Sequence, residues 1–577
     1  MATAKMPHTR KLGMKEEEFI RRDLLLRQER ISVVNFATLN FKSSMAFIQD
    51  CEKIAALQYS IGMKNESIAT RNELARVVNL KIDSLEESLI KKAEAAVQQE
   101  KTENKLYKEL TGKKDIMGIS PGSKFAVKEL LELQKNIENE WEDIGDQCSE
   151  IIDYRMASAT TMIMAGNYQE AFGRTYDAIN KYNKSGIFGA AEELMFRLIT
   201  NGRNKASSLI EEMKFGEANK LFRIMHENAV NTAEIIGISI KNGFHYLIGL
   251  DTEFEICAAI LLSNMGKGED AINYVKLVAD KHAKNSDDEL DFHKLDFRSS
   301  MALISSRDAI SSLQHHFGMV NESISTRRES IRIINSMIEQ VEDNIFKKAE
   351  IVKQHGKEIS EGERKISANK KKVLMSSSSE FAKEELEQLQ ETLNGEFNEL
   401  NNYCDWAIGY RLASATTMII IGDYSKAFEM TSEAMNKYNK EEIHGPAESL
   451  MLRLIVNSED VADFLSQNGK MAEAIKLLEI SFKNAVDTAL EVEKLVKNGS
   501  SGLISLGTEL EKHAARILDY IGRAEEAHLY IQAVADKHIN EGDEKSAIEL
   551  LNYGMSLASN NSYTRIIPPE LKDESRK

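Results

Sequence analysis

The chain is short of proline, tryptophan, cysteine and positive charge. Its 577 residues hold 5 prolines and 2 tryptophans. Proline breaks a helix interior because it lacks the N–H and clashes with the preceding turn, so this scarcity predicts long uninterrupted helices. Four cysteines in a chain of this length make no disulfide framework, which favours a reducing compartment. Lys and Arg number 74 against 91 Asp and Glu, a formal charge of −17. Sequence-independent binding of DNA or RNA needs a cationic footprint, so nucleic acid is not an expected partner. No stretch reaches the roughly 20 apolar residues of a membrane span, and Met1 to Gly13 carry no apolar run of signal-peptide type. A cytoplasmic protein is the expectation. Hydrophobic residues at 42% and charged residues at 29% support a packed core under a solvated surface.

Reactive motifs are missing too. There is no phosphate-binding Gly-x-x-x-x-Gly-Lys-[Ser/Thr] loop and no His-Glu-x-x-His. Cys51, Cys148, Cys257 and Cys404 are too far apart for a local zinc site. His282 and His538 recur in Asp-Lys-His at matching helix ends, where the helix dipole favours them. Lys370–Lys372 read as a solvated hairpin end. No catalytic residue, metal or cofactor is expected, and the chain does not read as an enzyme.

What is present is a duplication. Tyr154-Arg155-Met156-Ala157-Ser158-Ala159-Thr160-Thr161-Met162-Ile163 returns 256 residues later as Tyr410-Arg411-Leu412-Ala413-Ser414-Ala415-Thr416-Thr417-Met418-Ile419. Residues 41–288 and 297–544 share about 105 identities without an insertion, a fixed period of the kind that marks repeat architectures. A weaker echo of Phe36–Phe41 and Phe292–Phe297 falls at Ile548–Tyr553. It predicts a closing helix that covers the last apolar face or docks another protomer.

A shorter motif runs inside each half: glycine, three residues, an acidic position, then a small and an apolar residue. It occurs at Gly62, Gly166, Gly266, Gly318, Gly422, Gly469 and Gly522, with Met213 in the glycine slot of an eighth copy. Seven residues before each slot stands a small side chain: Ala55, Ala159, Ala206, Ala259, Ser311, Ala415, Ala462 or Ala515. Glycine ends one helix through a left-handed C-cap, and the small residue two turns earlier lets the next helix come close. On these residues, over roughly positions 40–540, the chain resembles the tetratricopeptide-repeat family. The resemblance implies an all-α solenoid of stacked antiparallel helix pairs and a role in partner binding. The spacings depart from that family's 34-residue unit: successive slots lie 104, 47, 53 and 52 apart. No set of peptide-clamp residues carries over position by position.

The spacing of 104 predicts an arm in each half. Leu130, Leu133, Ile137, Trp141, Ile144, Cys148 and Ile151 follow the steps of a coiled-coil seam. Leu386, Leu389, Leu393, Phe397, Leu400 and Cys404 repeat it, and Ile82, Leu85, Leu89, Ala93 and Ala96 supply a partner stripe. The expected organisation is a charged segment and first helix over 1–40, one solenoid copy over 41–296 with an arm at about 86–146, and a second over 297–552 with an arm at about 342–402. The end of the cap helix and a tail follow at 553–577.

These features point to a non-catalytic structural protein, a rod-like building block that self-associates into a filament or larger assembly. Candidate partner contacts are the arm tips, Ile116, Met117 and Ile119 in one half and Val373, Leu374 and Met375 in the other. Candidate end-to-end contacts are Ile548, Leu551 and Tyr553. The alternative is an adaptor or regulator that binds a protein or peptide in its concave face.

Overall fold

The computed structural model describes residues 14–31, 34–111, 121–284, 295–370 and 377–559. Among the described residues there are eighteen α-helices and no strand. The chain divides between Lys281 and His282 into two compact units.

The turns follow from the glycine slots. At Gly166 the backbone takes φ 90°. Its N–H donates to the Ile163 carbonyl at 3.1 Å, and the next N–H, of Asn167, donates to that of Met162 at 2.8 Å. That pair of bonds satisfies the last free carbonyls of the preceding helix. All eight slots have positive φ, from 59° at Met213 to 91° at Gly422. The eight small residues that precede them are all buried. The approach they permit is visible at Ala55, whose carbonyl accepts the Ser67 hydroxyl of the next helix at 2.6 Å.

In the first unit α1 (Met14–Ile31) packs on α2 (Phe41–Ser60) and α3 (Lys64–Thr111). Then come α4 (Pro121–Ala165), α5 (Tyr168–Lys184), α6 (Ala190–Glu211), α7 (Phe215–Lys241), α8 (Ile248–Asn264) and α9 (Gly268–Lys284). From α4 to α8 each helix packs on its predecessor, and α4 also touches α6, α5 touches α7 and α6 touches α8. Contacts with the next-but-one helix stack pair upon pair, which is the solenoid arrangement.

The second unit repeats the order with α10 (Phe297–His316), α11 (Val320–Lys370), α12 (Ser377–Ile420), α13 (Tyr424–Lys440), α14 (Pro446–Gln467), α15 (Met471–Lys497), α16 (Ile504–Tyr520), α17 (Ala524–Asn540) and α18 (Glu544–Ser559). One buried apolar cluster runs from Ile345 on α11 to Ala527 on α17. A separate one under α18 joins Ala515, Ile531, Ala535, Ala547 and Leu550. The same caps open both units: the Asn40 side chain accepts from the Ser43 N–H at 2.9 Å, and Asp296 accepts from Ser299 at 2.7 Å. Around 548–553 the local structure differs. The helix passes unbroken through these residues, where the first copy has a short 3-10 turn at Phe36–Thr38 before its helix begins at Phe41.

Each unit carries a long antiparallel hairpin. α3 and α4 have 48 and 45 residues, against 17 in α5. Cross-contacts pair Ser158 with Asn79, Lys92 with Asp143, Gln99 with Glu140 and Gln134 with Glu103. These span about 36 Å of helix at 1.5 Å per residue. Ile82, Leu89, Ala93 and Ala96 are buried along the join, as are Leu130, Ile137, Ile144, Cys148 and Ile151. Each large apolar side chain so buried contributes roughly 1.5–3 kcal/mol. The second hairpin, α11 with α12, departs from the expected seam at Phe397, which is 51% exposed. At the matching position Trp141 donates its Nε1–H to Glu100 at 2.7 Å. A phenylalanine has no such donor, and Gly356 stands where Glu100 would. Beside it, Glu396 turns inward to within 3.1 Å of His355.

Candidate functional site

Two polar arrangements lie at the roots of the arms. One is common to both units and the other is confined to the first.

The common one is a buried carboxylate. Glu86 on α3 is fully buried. It pairs with Arg155 on α4 and accepts from the Tyr182 hydroxyl on α5 at 2.9 Å, with the Lys181 ammonium at 3.4 Å. Burial alone would raise its pKa, but the Arg155 guanidinium outweighs that and holds the carboxyl below its usual value. Burial pushes the Tyr182 phenol up, so it stays a donor. In the second unit Glu342 meets Arg411 at 2.6 Å, Lys437 at 2.8 Å and Tyr438 at 3.1 Å. Every member is displaced by 256 residues. With its lone pairs taken by an arginine, a lysine and a phenol hydroxyl, the carboxylate has the satisfied environment a buried charge requires. It fastens the arm to the helix that follows.

The second arrangement is a cavity of about 860 Å³ in the first unit. α3 and α4 bring Glu100 and Trp141 to it, and the turn between α5 and α6 brings Gly186 and Phe188. The turn after α7 adds Phe244 and Tyr246. Phe188 lies against Phe244 with ring centroids 3.9 Å apart, and Tyr246 stands edge-on to Phe244 at 6.3 Å. Gly186 sits at φ 83°, and a Cβ there would come within 2.9 Å of the Val97 methyl. Asp153, Glu193 and Arg197 complete the charged lining.

Burial disfavours the reactive thiolate form at all four cysteines. Cys51, Cys148, Cys257 and Cys404 are all free and buried. Burial raises Cys51 to about 12, and Cys148 and Cys404 to about 11. A thiol held protonated is neither nucleophile nor metal ligand. In the second unit His538 contacts Glu511 at 2.9 Å and Asp543 at 3.4 Å. It is a hydrogen-bond partner of Glu511 at its helix end.

The residues expected from sequence fall in different places. Ile116, Met117 and Ile119 lie outside the described residues, as do Val373, Leu374 and Met375. So do the first 13 residues, Lys371 and Lys372, and the tail from 560 to 577. On α18, Ile548 and Leu551 are exposed, and Met555 joins them at 64%. Tyr553 is instead partly buried against the cluster beneath α18. The stripe i, i+3, i+7 is therefore Ile548, Leu551 and Met555. The first-unit cavity was not anticipated, because its walls come from four separated stretches of sequence. Its signal was available by subtraction of the halves: Val97, Phe188, Phe244 and Tyr246 face Lys353, His444, Ser500 and Gly502 at the 256-residue offset.

Among the described residues no helix is long and apolar enough to cross a membrane. No protein-family model matches the sequence, and no curated protein matches it. Among solved structures, similarity is found to a "circular tandem repeat protein with novel repeat topology and enhanced subunit contact surfaces". It has 14% sequence identity and a TM-score of 0.18, covering 84% of this chain and 96% of that one. The assignment as an all-α helical-repeat protein rests on the packing described above.

Proposed function

We propose that the chain is a non-catalytic scaffold of tetratricopeptide-like helix pairs whose copies associate end to end into a filament or larger assembly. The observation that carries this reading is a pair of apolar stripes exposed, among the described residues, on the first and last described helices. α1 exposes Phe19, at 74%, and Leu26 one heptad on. α18 exposes Ile548, Leu551 and Met555. Residues seven apart share one helix face. A groove of about 580 Å³ runs between α1 and α2, lined by Phe19, Leu24, Phe47, Ile54 and Leu57 and by the exposed ion pairs Arg27–Asp23 and Lys53–Asp50. Seating the α18 stripe of one copy in that groove of the next makes a heterologous contact, which need not close and so extends. The 256-residue copies, 41–296 and 297–552, are the repeating domains, and their arms at about 86–146 and 342–402 recur at a fixed interval along the chain.

The reading is tested by sedimentation and electron microscopy over a concentration series. Oligomers should lengthen with concentration, and Phe19→Glu or Leu551→Glu should each stop growth. Mixing the two variants leaves one intact contact per pair and should restore dimers only. Monomers at every concentration would refute self-association and leave the adaptor reading, with another protein as partner.

A further inference from the structure

We propose that the cavity at the root of the first arm binds a cation carried on an apolar stem, an alkylammonium or guanidinium group. Its size falls within the few hundred to about 1,000 Å³ typical of small-ligand sites. Its walls combine the two features that select such a group.

The first is aromatic surface. Trp141 is held in place by its hydrogen bond to Glu100 at 2.7 Å, and Phe188 and Phe244 lie tilted against one another with centroids 3.9 Å apart. The faces of such rings carry negative potential and attract cations, most strongly from tryptophan. The second is charge. Glu100, Asp153 and Glu193 line the cavity against one guanidinium, Arg197. Among the described residues Asp153, Glu193 and Arg197 have no side-chain hydrogen bond and no ion pair, so neither of those two carboxylates is neutralised. Three carboxylates to one guanidinium give the lining a net negative charge, and low-dielectric aromatic walls strengthen its pull on a cation.

Structural need does not account for these residues, because the second unit builds the same helices without them. At the matching positions Lys353 forms an ion pair with Glu442 at 3.3 Å. Glu442 stands at the position of Gly186, and Gly409 replaces Asp153. Gly409 is needed there for another reason, since a Cβ would strike the Phe297 ring at 2.9 Å. The aromatic and acidic lining is thus particular to one copy of a duplicated frame. This inference is independent of end-to-end assembly.

The experiment uses the full chain carrying Trp406→Phe, so that Trp141 is the single tryptophan. It is labelled as 5-fluorotryptophan and followed by fluorine resonance and calorimetry at constant ionic strength. The probes are choline, its neutral isostere 3,3-dimethylbutanol, sodium acetate, and short peptides presenting one lysine or arginine. Saturable binding of the cations is expected, with the neutral isostere at least tenfold weaker. Tyr246→Ala, at an exposed ring, and Glu193→Gln should each weaken cation binding about tenfold. The pair Val97→Lys with Gly186→Glu, which imports the second unit's ion pair, should abolish it. Tighter binding of the peptides than of choline identifies a protein side chain as the source of the cation, and equal binding identifies a free amine; either supports the proposal. Equal affinity for the neutral isostere, saturation by acetate through Arg197, or no saturable response to any probe would overturn it.

Discussion

The two units are an internal experiment in which one frame was built twice with different side chains. Where the copies agree in chemistry, the residue serves the frame. The carboxylates Glu86 and Glu342 keep arginine, lysine and tyrosine partners at a constant offset. Asn79 with Ser158 recurs as Asn335 with Ser414, at 2.8 and 2.9 Å. Phe41 and Phe297 each meet a tyrosine, Tyr154 or Tyr410, at 5.4 Å. Where the copies differ, the frame has tolerated a choice. Lys81 is buried against Ser44, with the Phe36 and Tyr154 rings each 5.3 Å away; the second unit has Met337 there. Trp406 stacks on Phe297 with the rings 3° from parallel, and the first unit has Glu150 in its place. Agreement at the arm's fastening and divergence in the lining beside it separate what holds the arm from what the frame leaves free to vary.

Breaking the agreement should have the largest effect. Glu86→Ala leaves Arg155 buried without its counter-charge and should cost the first unit about 3–5 kcal/mol. Glu342→Ala should do the same to the second. Hydrogen exchange read unit by unit would show it, and protection unchanged in either variant would mean that the carboxylate is not a fastening.

A smaller effect tests one position where the copies differ. His226 stands edge-on to Tyr274 at 6.2 Å, and Phe482 stands likewise to Tyr530 at 6.1 Å. The His226 Nε2 is buried without a hydrogen bond, so the imidazole packs as a plain ring. Burial, and then the Lys267 charge, lower its pKa below the ordinary 6.5. Folding therefore favours the neutral ring, and stability present above pH ~6.5 is lost as pH falls through the lowered folded value. His226→Phe should gain about 1–2 kcal/mol near neutrality by removing an unsatisfied group, and should flatten that acid loss. Melting curves from pH 7.5 to 5 check both.

The smallest effect concerns the one turn slot without glycine. Met213 holds φ 59° and is 77% exposed, while Gly469 serves the same turn at φ 77°. The left-handed backbone costs a non-glycine residue about 1–2 kcal/mol, partly offset by the greater chain entropy glycine loses, about 0.5–1 kcal/mol. Met213→Gly should stabilise the first unit by about 0.5–1 kcal/mol, and Gly469→Met should destabilise the second by as much. A null result in chemical denaturation for both would show that the turn is not strained.

Much of the frame was legible in sequence because it depends on local signals at fixed spacing. A glycine slot and a small residue seven positions earlier specify a turn and a close approach, and all eight pairs behave so. The seam positions followed helical periodicity until Phe397, where the outcome depended on the position across the hairpin, Gly356 in place of Glu100, that periodicity does not register. The buried carboxylate was not foreseen: Glu86 and Arg155 are 69 residues apart, and charged residues on an amphipathic helix read as solvent-facing. The cavity was hidden for the same reason, since its aromatic and acidic walls meet only after four chain segments are brought together.

The fastening has a mechanical corollary. From Glu86 to the last turn of α3 is about 38 Å at 1.5 Å per residue, so the arm is a lever whose pivot is its root, where the Glu86 cluster and the Ser158–Asn79 bond both hold it. A rotation of about ten degrees at the pivot would carry the far end by about 7 Å over that length. With both helices of an arm and the helix that follows tied at one buried carboxylate, the aim of each arm is set at its root, and whatever meets its far end finds it already pointed.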